Sequence, residues 1–258
     1  MHMRFVNTLS FLGALTVWVL AVSPAPAQTS GIEKPLRYIY NATWTVPRNL
    51  WADYQKMQAV DEDLLRKFVT DGTIHDFGSY SVLNHQDGQA THATWFAASS
   101  MEKLMKVLEA ERSAPENTSP SLVASKHWDY VLKTRDYNGH SGSFKNGYLR
   151  VGVWTSKPGA ADSQGAVIRS TLVPALEKLL EEGALHAYSV DEEAVHSADP
   201  GVLWVAITAN DAAGLDKYDA MIETLTKKDP AAVAAFGSTI ENHGHRDILA
   251  HVDSMTWK

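Results

Sequence analysis

Two similar series of strands and helices follow from the pattern of apolar and polar positions. Alternating runs rich in β-branched and aromatic residues predict strands, and apolar residues three or four positions apart predict helices. In the first half they predict a strand at 37–46, a helix at 49–69, strands at 73–84 and 91–98, a helix from Ser99 and a strand at 128–134. In the second half they predict a strand at 148–156, a helix at 166–182, strands at 185–190 and 202–208, a helix at 212–226 and a strand at 248–257. Each half therefore has the order β-α-β-β-α-β.

Local signals mark where several of these elements begin and end. Asp87-Gly88 is typical of a hairpin turn, and Gly72 is placed to end the first helix. Ser99 and Glu102 have the spacing of a capping box. Pro174 lies inside a helical pattern, so we expect a kink or a true helix start close to it.

A repeated set of tryptophans and histidines indicates that one module is used twice. The first half contains Trp44, His75, His85 and Trp95, and the second half contains Trp154, His186, His196 and Trp204, at offsets of 110, 111, 111 and 109. His127-x-Asp129 recurs as His245-x-Asp247 at an offset of 118. We therefore predict modules at 35–134 and 148–258, joined by a glycine- and serine-containing linker at 135–147.

This element order resembles the ferredoxin-like dimeric α/β-barrel superfamily. The superfamily includes antibiotic-biosynthesis monooxygenases, stress-responsive barrel proteins, EthD-like proteins and, as fused tandem forms, chlorite dismutases. The resemblance covers most of the mature chain, although it includes no residue signature of one member family. It implies an α+β fold in which two ferredoxin-like modules pair within one chain as a pseudo-dimeric barrel, with a ligand in the lumen.

Composition narrows the cellular location and the classes of partner that we expect for this chain. Residues 1–27 carry Arg4, an apolar run from Leu9 to Val22 and Ala25-Pro26-Ala27, which is the pattern of a cleaved signal peptide, with an uncleaved anchor as the alternative. We expect an exported, periplasmic or extracellular chain. Its 30 acidic residues exceed its 23 basic ones, which argues against nucleic acid and anionic membranes as partners. It has no cysteine, so disulfides and thiolate sites are excluded.

Strand alternation predicts which side chains face the barrel lumen. We assume that the apolar face of each strand lies beneath the helices, so that the opposite face points inward. The residues placed inward in this way are Tyr38, Tyr40, Ala42, Trp44, His75, Phe77, Trp95, Ala97, Tyr148, Arg150, Gly152, Trp154, His186, Tyr188, Trp204 and Ala206. The predicted ligand-binding residues among them are Tyr40, Trp44, Trp95, Arg150, Trp154, Tyr188 and Trp204.

His75 and His186 are the predicted catalytic residues, because imidazole titrates near neutral pH. The alternative is that both are hydrogen-bonding strand residues. Arg150 has Tyr40 as its counterpart, and a buried guanidinium needs a carboxylate, a carbonyl or an anionic ligand beside it. We therefore expect a hydrophobic or aromatic ligand with an acceptor group. The alternative for the inward tryptophans is that they fill a barrel without a cavity.

Metal and cofactor sites receive less support. His243-Gly244-His245-x-Asp247 alternates ligand-type residues, but only His127 and Asp129 recur in the first half, so we interpret the segment as a solvated strand-entry loop and predict no metal site. No phosphate-loop, dinucleotide or nucleophile-elbow pattern is present. No cofactor is predicted, with haem as an alternative that rests on the resemblance alone.

Three functions stay open at this level. The first is a cofactor-independent enzyme, an oxygenase or isomerase, acting on a small molecule in the lumen. The second is a non-catalytic exported protein that binds such a molecule, and the third is a haem-binding protein. The predicted partner is a small-molecule ligand. We expect a monomer with an internal pseudo-dimer, or a higher homo-oligomer.

Overall fold

The fold is described from a computed structural model, which covers residues 34–114, 118–196 and 201–258. The predicted leader at 1–27 lies outside the described residues. The strands are β1 Arg37–Thr45, β2 Asp76–Val82, β3 His92–Ala98, β4 Lys126–Gly139, β5 Gly142–Phe144, β6 Tyr148–Ser156, β7 Leu185–Val195, β8 Val202–Ala209 and β9 Ile240–Trp257. The helices are α1 Trp51–Thr70, α2 Met101–Arg112, α3 Pro120–Ala124, α4 Ala161–Val167, α5 Val173–Glu181, α6 Ala212–Lys228 and α7 Pro230–Ser238.

Eight of these strands form one closed antiparallel barrel. Their order is β2-β3-β1-β4-β7-β8-β6-β9, and β9 pairs with β2 to close the ring. The first four strands come from the first module and the last four from the second, so β4–β7 and β9–β2 are the two seams between modules. The short β5 pairs with the end of β9. The predicted α+β fold of two tandem ferredoxin-like modules is confirmed.

The segment between the modules is largely strand. Residues 135–139 belong to β4 and pair with β7 across a seam, and 142–144 form β5. The glycine- and serine-containing stretch predicted as a linker at 135–147 therefore takes part in closing the barrel. In the second module, α7 was not predicted, and β9 begins at Ile240 rather than Ile248.

The helix ends follow the local sequence signals with two differences. Gly72 and Gly183 end α1 and α5 with φ of 77° and 70°, as expected for glycines in this position. Ser100, not Ser99, caps α2 by accepting a hydrogen bond from the Lys103 backbone N–H at 3.3 Å. A π-helical turn at Ile168–Leu172 precedes Pro174, whose missing N–H interrupts regular α-helical bonding there.

The helices pack outside the barrel and form a core with it in each module. In the first module, Leu65, Leu104 and Val107 pack against outward residues of β2 and β3. In the second, Leu176 and Leu180 pack against β7 and β8. A third core fills the barrel itself and includes Leu132.

None of the helices in the described ranges is long and apolar enough to cross a membrane.

The filled barrel predicts a large cost for truncating an inward side chain. Leu132 on β4 is 2% exposed, so Leu132→Ala should reduce the free energy of unfolding by about 2–5 kcal/mol in chemical denaturation. Leu83 is the control, because it is 50% exposed and its replacement by alanine should cost less than about 0.5 kcal/mol. Equal effects of the two substitutions would contradict this account of the barrel core.

Candidate functional site

The barrel lumen is nearly filled by side chains. Trp95 and Trp204 point into it as predicted, together with Tyr80, Tyr137 and Trp257. The remaining cavity is about 80 Å³, whereas small-molecule sites usually measure about 300–1,000 Å³. The alternative that inward aromatics fill the barrel therefore describes the lumen better than a ligand chamber does.

A few polar atoms remain buried within this apolar lumen. Asp191 accepts a hydrogen bond from the Ser189 hydroxyl at 2.8 Å through Oδ2. Its Oδ1 has no hydrogen-bond partner, and neither do Asn41 Nδ2 and Trp204 Nε1. Burial raises the pKa of Asp191 to about 7. A cavity of this size has room for a few water molecules that such atoms could bind.

The two predicted catalytic histidines do not reach the lumen. In the first module, the outward residues Ile74 and Phe77 are three positions apart, because the chain bends at His75 before β2 begins. In the second, the pairing of β7 with β8 shifts register between Leu185 and Ala187, at His186. Both histidines thus occupy equivalent irregular positions, and one extra residue reverses the alternation on which the prediction depended.

Neither histidine lines a cavity that we describe. His186 is 8% exposed and stacks on Phe144, with ring centroids 4.2 Å apart. Burial, with a smaller contribution from nearby His140, lowers its pKa to about 4. Burial and then Arg37 lower the pKa of His75. Both are therefore neutral at pH 7, and their catalytic role stays a prediction.

The inward placement of five predicted ligand-binding residues is wrong. Tyr40 and Trp44 on β1, and Arg150 and Trp154 on β6, face the helices outside the barrel. Tyr188 borders the lumen, but its hydroxyl donates a hydrogen bond to Glu177 on α5 at 2.5 Å and its side chain packs in the core on the helix side. The remaining residues predicted inward but found on the helix side or outside the lumen lining are Tyr38, Ala42, Phe77, Tyr148 and Gly152.

The physical reason is that both faces of these strands are buried. On β6, Leu149, Val151 and Val153 form the apolar face, and they point into the lumen rather than beneath the helices. The outward face carries Arg150 and Trp154, which line a cavity beneath the helices. An apolar face therefore indicates burial but does not tell on which side of the sheet the buried layer lies.

Trp154 and Arg150 line a cavity of about 720 Å³ between β6 and the helices, which we call the second-module cleft. Its apolar wall is made by residues of β6, β8, α4, the π-turn, α5, α6 and α7, namely Trp154, Val167, Ile168, Leu172, Ala175, Val205, Ile222, Leu225, Ala232, Val233 and Phe236. The ring of Trp154 meets that of Phe236 edge-on, with centroids 5.7 Å apart. This is the size and lining of a small-molecule site.

One end of the second-module cleft is polar. Arg150 forms ion pairs with Asp219 on α6 and with Asp247 on β9, the second at 3.4 Å. Asp247 in turn lies 3.2 Å from His245 Nε2 through its Oδ1. His245 is the cross-strand partner of Trp154, and the two rings stack with centroids 4.9 Å apart and planes 7° from parallel. Charge, acid/base capacity and an aromatic surface thus meet at one place.

Gly152 explains why Trp154 can lie in this way. A Cβ on Gly152 would come within 2.2 Å of the Trp154 ring. Only glycine therefore leaves the outer surface of β6 open for the ring to lie on. The equivalent position on β1 is occupied by Ala42.

A matching first-module cleft of about 1,000 Å³ lies between β1, β4, α1 and α2. Trp44 stacks on His127, its cross-strand partner, with centroids 4.5 Å apart. His127 Nε2 lies 3.5 Å from Asp129. The Trp, His and Asp arrangement is thus present in both modules. The repeated His-x-Asp spacing was the sequence signal for it, although the spacing alone did not show that the pairs face the helices.

A third cavity of about 380 Å³ opens at one end of the barrel. Tyr80 and Trp204 separate it from the lumen, and Arg246 and the loop containing His85 line its walls.

As predicted, His85 and His196 lie outside regular strands. Within the described ranges, no group of three or more His, Cys, Asp or Glu side chains could hold a metal ion.

Comparison with solved structures identifies the fold. A protein of Fusobacterium nucleatum provisionally named a monooxygenase matches with a TM-score of 0.64 and 10% identity, over 88% of this chain and 96% of that one. A protein provisionally named a chlorite dismutase matches at 0.53 and 11%, over 84% and 94%. A haem-binding protein of Thermus thermophilus matches at 0.50 and 10%, over 84% and 90%. No protein-family model matches the chain, and no curated protein does.

The class is therefore the dimeric α/β barrel. Within that class, the chain has the tandem form, in which both halves of the barrel come from one polypeptide. At about a tenth of residues identical, these likenesses extend to the fold alone.

Titration of Asp191 predicts a pH-dependent stability. Because the pKa of this carboxyl is raised from 3.8 to about 7 in the folded chain, stability should decline as pH rises from about 4 to about 7 and change little beyond. Asp191→Asn should therefore raise the thermal midpoint more at pH 8 than at pH 5, as measured by circular dichroism. Asp87→Asn in the exposed hairpin loop is the control, and a gain that does not depend on pH would contradict the assignment.

Proposed function

We propose that this chain binds a small apolar or aromatic molecule in the second-module cleft. The observation that carries the proposal is the apolar wall that surrounds about 720 Å³ in that cleft, whereas the lumen holds only about 80 Å³. Binding in an apolar cavity is driven by removing nonpolar surface from water. The lumen offers a ligand of this kind no space, whereas the cleft offers it a wall of aliphatic side chains and the three aromatic rings of Trp154, Tyr218 and Phe236.

The polar end of the cleft restricts the ligand's polar group. The guanidinium of Arg150 already faces two carboxylates, Asp219 and Asp247. An anionic or acceptor group on the ligand would compete with both carboxylates for Arg150. This end of the cleft therefore does not favour the acceptor group that we expected for an arginine without a partner. A hydroxyl or amine that donates to a carboxylate suits it better.

Haem fits this cleft in size but not in its donor groups. Haem iron takes an axial histidine, cysteine, methionine or tyrosine, and the haem propionates need cations beside them. The histidine of the cleft, His245, stacks flat on Trp154 and holds its Nε2 3.2 Å from Asp247, so both neighbours fix its ring and only Nδ1 is left for another partner. The cation that could pair with a propionate, Arg150, is already paired with carboxylates. We therefore derive no chemistry through haem.

A neutral fluorescent probe tests the location of the site. N-phenyl-1-naphthylamine should bind with one-to-one stoichiometry, and Trp154→Ala should weaken binding by about tenfold or more, because an aromatic wall is lost. Trp44→Ala changes the equivalent residue of the other module and should leave the affinity unchanged. Trp154→Phe, which keeps an aromatic ring, should retain most of it.

The result that would overturn this location is loss of probe binding on Trp204→Phe, in the lumen, with no loss on Trp154→Ala. A saturable one-to-one complex with haem, seen as a Soret band that Trp154→Ala abolishes, would replace the proposed ligand class by haem. Circular dichroism of each variant separates loss of binding from loss of folding.

A second candidate, a cofactor-independent proton-transfer enzyme, is favoured by the pairing of His245 with Asp247. When Nε2 donates its hydrogen to the carboxylate, Nδ1 keeps its lone pair and can accept a proton from a ligand. The carboxylate also stabilises the imidazolium that results. His245 and Asp247 would then take the acid/base role that the sequence suggested for His75 and His186.

Proton exchange on a model ketone separates catalysis from binding alone. In D₂O, the α-protons of 2-tetralone should exchange faster with the protein than in buffer, and His245→Gln should remove most of this acceleration because no base remains. His127→Gln in the first module is the matched control. Equal exchange rates for wild type and His245→Gln, measured by proton NMR, would leave binding as the function.

A further inference from the structure

The two clefts contain the same arrangement of Trp, His and Asp, which we call the shared frame, but they differ in the charge at one position. On β6, Arg150 lies two residues before Gly152, the cross-strand partner of Asp247. On β1, Tyr40 lies two residues before Ala42, the partner of Asp129. The duplicated frame therefore places Tyr40 where the second module has Arg150. The second module meets its carboxylate with an internal cation, and the first module has a phenol in the corresponding place.

Carboxylates nevertheless gather in the first-module cleft. Its lining includes Asp61 of α1, Glu111 of α2 and Asp129 of β4. Asp61 and Glu111 are half-buried, whereas Asp63, Asp129 and the bases of the lining, Lys67 and Arg112, are exposed. The interior of the cleft is thus more acidic than its rim, and the aromatic faces of Tyr40 and Trp44 lie beside these acids.

A second feature of the cleft is independent of its acids. Tyr54 of α1 is completely buried and lines the cleft, yet its hydroxyl has no hydrogen-bond partner. A buried hydroxyl without a partner is destabilising, by about 1–3 kcal/mol in typical mutational series. A donor group entering the cleft could bond to this oxygen.

We propose that the first-module cleft binds a small organic cation, with an ammonium or guanidinium group, whose charge takes the place that Arg150 has in the second module. Asp61, Glu111 and Asp129 accept hydrogen bonds from the cation, and Tyr54 offers a further oxygen. Carboxylates combined with aromatic faces are the usual surroundings of bound organic cations. This site is separate from the second-module cleft and does not depend on the function proposed there.

Proton linkage should accompany binding. Burial raises the pKa of Glu111 to about 9, and Asp61 and Asp129 contribute to the rise. Glu111 therefore carries a proton at pH 7, and a neighbouring cation would lower its pKa and release that proton. The titratable and charged groups of the elements around it are Tyr40, Tyr54, Asp61, Asp63, Lys67, Arg112, His127 and Asp129.

Three aromatic probes of similar size test the proposal. Benzylamine is cationic at pH 7, benzyl alcohol is neutral and benzoate is anionic. Calorimetry should show saturable binding of benzylamine, with affinities about tenfold or more weaker for the other two, because only the ammonium pairs with the carboxylates. Runs in buffers of different ionisation enthalpy should also show proton release with benzylamine.

Matched substitutions locate the site. Glu111→Gln and Asp61→Asn should each weaken benzylamine binding about tenfold or more, and Glu111→Gln should also remove the proton release. Tyr40→Arg, which supplies a tethered cation, should block binding, whereas Tyr40→Phe should retain it. Asp219→Asn and Trp154→Ala in the second-module cleft should leave benzylamine binding unchanged, and circular dichroism checks that each variant is folded.

Three outcomes would overturn the proposal. The first is equal affinity for benzylamine and benzyl alcohol, which would show that charge is not recognised. The second is unchanged benzylamine binding in folded Glu111→Gln and Tyr40→Arg variants. The third is displacement of benzylamine by calcium ions at equal concentration, which would indicate a metal site instead.

Discussion

Closure of the eight-stranded barrel is the constraint on which the rest of this structure depends. The β4–β7 and β2–β9 seams bring the inner faces of both modules together, and a barrel of eight strands is just wide enough for its own side chains. Trp95, Trp204 and Trp257 fill that width and leave about 80 Å³. Because the interior is occupied by the protein, space for a ligand arises outside the barrel, where helices cover the strands incompletely.

The sequence could predict the order of elements and the duplication, because periodicity and turn residues act locally. It could not predict the faces of β1 and β6. Both sides of a barrel strand are buried, so the apolar row of Leu149 and Val151 fits equally well beneath helices or in a lumen. Irregular backbone at His75 and His186 then reversed the alternation in β2 and β7. Such irregularities depend on pairing with strands that are distant in sequence, so the periodicity of one segment does not reveal them.

The candidate site was visible in the sequence in part. Trp154 and Arg150 were singled out for their chemistry, and both line a cavity, though a different one from the lumen. The His-x-Asp repeat was also noted, but its partner was not, because the contact between His245 and Trp154 is a cross-strand pair formed by residues 91 positions apart in the chain. The same pairing of Trp44 with His127 shows that both modules contain the arrangement.

The two clefts therefore differ in the charges beside their shared frame and in the residues that form their walls. Arg150 offsets one of the two negative charges of Asp219 and Asp247, and the remainder of the second-module cleft is aliphatic and aromatic. The first-module cleft has Tyr40 in the corresponding place, and burial, with Asp61 and Asp129, raises the pKa of Glu111 there. Our two proposals follow from this difference, since a buried carboxylate needs either a proton or a positive partner: an apolar guest where an internal cation is present, and a cationic guest where it is absent. The exchange of Arg150 for Tyr40 is one of the differences that make the two clefts of one duplicated fold chemically distinct.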